Sequence, residues 1–273
     1  MTFQHLLVHV DSSGRAPERI DLAIALARKS GALLVGLFAE SETLGGSLVG
    51  RRTPDVVARA AAEARAGFEG RARSAEVRTG WWSLEPGEYG PLVGQIEICC
   101  RYVDLAIFGQ SGGEDRRLPD DAVDQAIFHG GRPVLVVPSV GHYPEVGRRI
   151  LVGWNGSREA ARAVGDALPL LERAEMVHVV ALQRATHGGA PSALPPLDVV
   201  AHLAAHGIAA KYERVIVDEE EVDATDMLLN RSFDLQTDLT VVGGYAQHLP
   251  GTRAAASTRK LLDSMTTPVL FSH

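Results

Sequence analysis

Residues 241–262 read VVGGYAQHLPGTRAAASTRKLL. An apolar run ends in Gly243-Gly244, an irregular stretch follows, and Ser257-Thr258 stand where a helix opens. Glycines let a backbone come close to a ligand. The free N–H groups and positive dipole end of a following helix attract phosphate oxygens. A second segment of this kind is Gly153-Trp154-Asn155-Gly156-Ser157, at the end of another apolar run. With the end of a third run near Ala181, these segments make Asn155, Ala181, Gly243, Gly244, Ser257 and Thr258 the candidate ligand-binding residues. A purely local role competes for some of them. Asn155 and Ser157 are placed to cap a helix start, worth about 1 kcal/mol, as are Asp11, Ser12 and Ser13 earlier in the chain. Such a cap needs nothing but the helix it serves.

Other chemistry is thinly represented. The chain carries no G-x-S-x-G, no Walker lysine motif and no G-x-G-x-x-G, and no nucleophile–base pairing or catalytic residue stands out. His202 and His206 have helical i, i+4 spacing, but no Glu follows His202 in the manner of a zinc helix and no third ligand is evident, so no metal site is expected. The adjacent Cys99 and Cys100, in the apolar run VGQIEICCRYVDLAIF, read as core thiols. Trp81-Trp82 alternate across a strand and read as packing. The run DEEEVDATD (218–226) reads as an acidic helix start.

The 273 residues suffice for one large domain or two ordinary ones. At 45% apolar and 22% charged the composition is that of a globular chain. A net charge of −7 leaves no basic excess for nucleic acid or an anionic membrane surface. No run approaches the roughly 20 apolar residues of a membrane span. The start MTFQHLLVHVDSSG lacks signal-peptide character, so a cytoplasmic location is expected.

The strands and helices around these residues occur twice. HLLVHVDSSGRAPERIDLAIALARKSGALLVGLFAES, from His5, matches RILVGWNGSREAARAVGDALPLLERAEMVHVVALQ, from Arg149. VDLAIFGQSGG matches TDLTVVGGYAQ, and RPVLVVPS matches TPVLFSH. The offset is 144 between Asp11 and Asn155 but 134 between Asp104 and Asp238, and the extra residues are expected in the loop SETLGGSLVGRRTP. Continuous apolar runs such as LLVHV, LAIFG and LTVVGG are those of parallel strands covered on both faces. With helices between them they predict α/β architecture: two tandem doubly wound domains, each a five-stranded parallel sheet with helices on both faces. Strands are expected near 5–11, 32–39, 75–82, 103–109 and 133–138, then near 149–154, 175–182, 209–217, 238–243 and 268–272. The domains are expected at 1–140 and 148–273, with PSVGHYPEVGRR between them as linker.

On ILVGWNGSREAARAVGDAL, DLTVVGGY, DLAIFGQSGG, PVLVVPS and PVLFSH, in that repeated order over nearly the whole length, the chain resembles the universal stress protein family as a tandem member. The resemblance implies domains that pair through the last strand, here within one chain, with a homodimer a further expectation. It also implies a nucleotide motif after the fourth strand, G-x-x-G, about nine residues, then G-S/T, and an acidic residue ending the first strand. The first half keeps Asp11, Gly109 and Gly112, but Asp120-Asp121 fall where the later Gly and Ser/Thr belong. Two carboxylates there repel phosphate by several kcal/mol, on the order of the Coulomb energy at ε ≈ 20. The second half keeps Gly243 and Gly244. Ala246 replaces the second Gly, alanine stands at the later Gly, and Asn155 replaces the acidic residue. Each alanine costs about 1 kcal/mol where positive φ or close approach is needed. With Arg253, Arg259 and Lys260 nearby, the second half is the better site.

The resemblance implies a stress-response protein that binds rather than catalyses, with ATP or another adenine nucleotide in the second half. The alternative is a nucleotide-independent scaffold. Slow ATP hydrolysis ranks last, because phosphoryl transfer leans on a metal-holding carboxylate that the motif segments lack.

Overall fold

Apolar runs too short for helices, punctuated by Gly and Pro, become strands, and the Ala-rich stretches between them cross over as helices. A computed structural model describes residues 2–41, 53–84, 91–111, 117–184, 198–217, 224–245 and 253–273. Half one runs β1 (His5–Val10), α1 (Ala16–Ser30), β2 (Leu33–Phe38), α2 (Pro54–Ser74), β3 (Thr79–Ser83), α3 (Leu92–Cys100), β4 (Leu105–Gly109), α4 (Ala122–His129) and β5 (Val134–Val137). Half two repeats this as β6 (Arg149–Trp154), α5 (Arg158–Leu171), β7 (Met176–Arg184), α6 (Val199–Ala205), β8 (Ala210–Val217), α7 (Ala224–Asp234), β9 (Leu239–Gly243), α8 (Arg253–Ser264) and β10 (Val269–Ser272).

The strands form one sheet in the order β3-β2-β1-β4-β5-β10-β9-β6-β7-β8. Pairing within each half is parallel, and the halves join through antiparallel β5 and β10, where Leu135 faces Leu270. Alternate residues feed two cores: Leu6, Val8 and Val10 point to the layer of α1, whereas Leu7 points to that of α4. That two-sided burial explains why the strands read as unbroken apolar runs. Asp104 and Asp238, which recur in the repeat, have a structural task. The Asp104 carboxylate accepts from the N–H groups of Gln4 and His5, and that of Asp238 from Gly147, Arg148 and Arg149. Each ties the start of its half's first strand to the strand beside it.

Two expectations need correction. The third strand starts at Thr79, not near residue 75, because α2 runs to Ser74 and its closing turn takes Glu76 to φ 58°. The length difference between the halves lies in a helix rather than a loop: α2 has 21 residues and its counterpart α6 has 7. Residues 42–52 of the loop named above lie outside the described residues.

Cys100 is in the core, where burial pushes its thiol up to about 12, while Cys99 is half-buried. The rings of His202 and His206 meet edge to face at 5.0 Å, and no three metal-ligating side chains cluster among the described residues. Trp81 packs on Phe38 and Phe68, and Trp82 meets His5 edge-on. No helix among the described residues is long and apolar enough to cross a membrane.

Candidate functional site

The register places the candidate residues at the carboxyl ends of neighbouring strands. In half two, Trp154 pairs with Ala181, and Asn155 follows at the end of β6. On its other side β6 pairs with β9, which ends at Gly243. Asn155, Ala181 and Gly243 therefore share one rim of the sheet, where doubly wound folds take ligands. Asn155 and Gly156 are exposed and Ala181 is buried. Asn155 Oδ1 accepts from Ser157 N at 3.0 Å, and Ser157 Oγ caps α5 by accepting from Ala160 N at 3.1 Å.

Gly243 is glycine for a local reason. A Cβ there would lie 2.5 Å from both Ala160 N and Glu159 C, so the first turn of α5 sits directly on it. Gly244 N donates to the Ser272 carbonyl at 2.8 Å. Tyr245 takes a left-handed φ of 52° and its N–H donates to Thr258 Oγ1 at 3.0 Å, which brings α8 to the end of β9. Ser257 is half-buried, and its carbonyl accepts from Thr225 Oγ1 at 3.4 Å. Gly112, Ala246 and the rest of 246–252 lie outside the described residues, as does the Arg253 side chain.

Two of the three basic residues expected near this pocket are engaged elsewhere. Lys260 pairs with Asp226 at 2.7 Å, and Arg259 pairs with Asp124 of half one. A carboxylate within ILVGWNGSREAARAVGDAL stands close by, contrary to the expectation that the motif segments hold none: Glu159 is buried beside Gly243, with Arg158 as its ion partner at 2.9 Å. Tyr245 reaches across to half one, where its hydroxyl donates to Asp124 and its ring meets Phe128 edge-on. Burial and the Asp124 carboxylate raise its phenol well above the ordinary range.

The same rim in half one is filled by its own side chains. Arg19, only 4% exposed, reaches up from α1 and donates to the His9 carbonyl at 2.7 Å. Its Nη2 lies 3.1 Å from the Asp11 carboxylate, an ion pair outside hydrogen-bond alignment. Its Nη1 would lie 2.5 Å from a Cβ at Gly109, so guanidinium occupies the space that glycine leaves. Asp11 also accepts from Ser13 N and Oγ. Burial pushes the Asp11 carboxyl up, but Arg19, His9 and the Ser13 bonds outweigh it and hold the group well below the usual carboxylate range. His9 donates Nε2–H to the Ala39 carbonyl at 2.8 Å and stacks on Phe108. Burial, countered by Asp11 and reinforced by Arg19, lowers it to about 4, so it is neutral at pH 7. Buried Glu40 accepts from Ser12 N, and Arg117 donates to Ser12 Oγ at 3.1 Å. Asp121 sits at the N-terminus of α4 without a side-chain cap, and the Asp120 carbonyl accepts from Arg259 at 3.4 Å.

Arg19, His9, Glu40 and Asp124 escape a motif search. For Arg19 a signal exists: it falls on the buried face of α1 with Ala16, Leu22, Ala23 and Leu26, where a charge must find a partner.

No protein-family model matches the chain, and no curated protein matches it. Solved structures do. A universal stress protein from Archaeoglobus fulgidus DSM 4304 aligns over 98% of this chain and 95% of its own, at 14% identity and a TM-score of 0.73. A protein of unknown function from Pseudomonas aeruginosa PAO1 aligns over 99% of this chain and 92% of its own, at 15% identity and a TM-score of 0.61. At these identities the likeness is one of fold, and it extends over both halves.

Proposed function

We propose that this chain, which carries the universal stress protein fold twice in tandem, is a stress-response protein that acts by binding rather than by catalysis. Its ligand is an adenine nucleotide, taken at the carboxyl ends of β6, β7 and β9. The observation that supports this is the contrast between the rims. Asn155 and Gly156 stand exposed over the capped start of α5, whereas the matching rim of half one is filled by Arg19 against Asp11. Asn155 presents an amide to a ribose hydroxyl, and the positive end of the α5 dipole favours phosphate oxygens nearby. Ligand at 100 times its dissociation constant stabilises the fold by about 2.7 kcal/mol, which raises the melting temperature by roughly 5–10 °C at this chain length. Thermal shift with millimolar ATP, ADP and AMP, with analysis of nucleotide released from purified protein on denaturation, tests the proposal. Absence of both signals overturns it.

A scaffold role without nucleotide is favoured by two observations: Gly243 is required by the α5 backbone, and Thr258 Oγ1 holds the Tyr245 amide. Slow hydrolysis is weaker, because Glu159, the carboxylate beside Gly243, already serves Arg158.

A further inference from the structure

The seam between the halves has a local twofold symmetry that its side chains break. Leu135 and Leu270 are each the second residue of their strand and face each other in the β5–β10 ladder, so the pseudo-axis passes between them. Counting back from PVL in each half, Asp124 and Arg259 both precede the valine by ten residues. They are equivalent positions on α4 and α8, and they meet across the axis as an ion pair. Their side chains are 15% and 41% exposed, so the pair is partly withdrawn from solvent screening.

A second asymmetry is steric and independent of charge. Gln110 and Gly244 occupy matching positions just beyond β4 and β9. Gln110 Nε2 donates to the carbonyls of Leu262 and Asp263 at 2.7 and 3.1 Å, at the end of α8. Across the axis Gly244 leaves room for Ile127 of α4, whose Cγ2 would lie 3.0 Å from a Cβ there. Phe128, whose equivalent is Asp263, lies 4.5 Å from His273 and 5.9 Å from Tyr245, ring to ring.

We infer that these paired differences select the partner of each half, so that half one takes half two and a like-with-like pairing with the same edge of a second copy is disfavoured. Two copies of half one would set Asp124 against Asp124 and Gln110 against the end of α4. Two copies of half two would set Arg259 against Arg259 and leave no side chain at the Gln110 place. Like charges at a seam raise the wrong complexes in energy, while the opposite charges of the right one attract. This device does not depend on whether nucleotide binds.

The test is a charge-reversal cycle in the full chain, made in a Tyr245→Phe background so that the phenol contact to Asp124 does not contribute. Asp124→Arg and Arg259→Asp singly should each lower the melting temperature by about 5 °C or more, on the scale of two degrees or more per kcal/mol for a chain this long. The double reversal should recover at least half of the combined loss. Unfolded and refolded together, the two single variants should give a mixed two-chain species by native mass spectrometry, since each half then finds its complement in the other chain. A double reversal that melts at the sum of the single losses overturns the pair. A refolded mixture with no preference for the mixed species overturns the selection. Should the reversals fail to fold, the neutral cycle Asp124→Asn with Arg259→Gln carries the same coupling test, and additive losses there overturn the inference as well.

Discussion

The two halves share a backbone plan and have parted company at one rim of it. At equivalent positions, half one has His9, Asp11, Ser13, Arg15 and Arg19 where half two has Gly153, Asn155, Ser157, Glu159 and Ala163. In half one an arginine long enough to reach the end of β4 arrives from α1, and the Asp11 carboxylate meets it. In half two Ala163 stands at that place, and the first turn of α5 touches Gly243. The glycines at the ends of β4 and β9 thus persist for different reasons, one facing a guanidinium and the other a helix backbone. A retained glycine shows that space was needed there, and only the structure shows what fills it.

The widest gap between the rims should appear on breaking the ion pair. Asp11→Ala leaves Arg19 charged and buried, and removing one member of a buried pair costs about 3–5 kcal/mol. Asn155→Ala, on an exposed residue whose bond is to a neighbouring amide, should cost under about 1 kcal/mol. Urea unfolding of both variants measures the difference. Replacing the pair together, Asp11→Asn with Arg19→Met, should recover much of the loss, since hydrophobic replacement of a whole buried pair is often near neutral. Equal costs for Asp11→Ala and Asn155→Ala would erase the contrast on which the functional proposal stands.

Acid should act on half one before half two. His9 is lowered to about 4 in the folded chain, so between its unfolded value near 6.5 and about 4 the unfolded state binds the extra proton. Stability therefore falls as pH drops through that window, by on the order of 3 kcal/mol at 1.36 kcal/mol for each pKa unit. Asp11, depressed instead, contributes stability above about pH 4 that is lost as pH falls further. Gly153 gives half two nothing to titrate at the His9 position. The urea midpoint followed from pH 7 to 4 reads the slope, and His9→Gln should flatten it.

The glycines themselves come next. Gly243→Ala pushes a methyl into the backbone of Glu159 and Ala160, and overpacking of this kind costs about 1–3 kcal/mol. Gly109→Ala meets only the guanidinium of Arg19, which can swing aside, so it should cost less. Thermal unfolding ranks the two variants, and a reversed order would mean that Arg19 is held more rigidly than the α5 backbone.

These contrasts also mark how far the sequence could be read. The strands were legible because burial on both faces makes them apolar throughout, and the repeat of DL before β4 and β9 marked equivalent positions. The rim residues of half two were legible because element order alone puts the ends of β6, β7 and β9 side by side. What was not legible depends on side-chain reach. Arg259 and Lys260 stand near the expected pocket in the sequence, yet one turns to Asp124 and the other to Asp226. The length difference between the halves reads as a loop because nothing in the helical stretch PDVVARAAAEARAGFEGRA says how many turns its partner helix lacks.

The smallest expected difference isolates one residue type in two settings. Ser13 and Ser157 are equivalent in the repeat. Ser157 caps α5, and Ser157→Ala should cost about 1 kcal/mol at every pH, because an amide and a hydroxyl do not titrate there. Helix α1 starts at Ala16 with Arg15 at its cap and no side-chain cap bond, so Ser13 has no such duty. Its amide and hydroxyl both go to Asp11, where they help to hold the carboxyl low. Ser13→Ala should therefore raise the Asp11 pKa toward its unfolded value and shrink the part of stability that is lost below about pH 4. Stability against pH for the two variants separates the cases: parallel to the wild type for Ser157→Ala, converging on it in acid for Ser13→Ala. Two parallel curves would mean that Ser13 serves its helix as Ser157 does, and that the Asp11 carboxyl is held low without it.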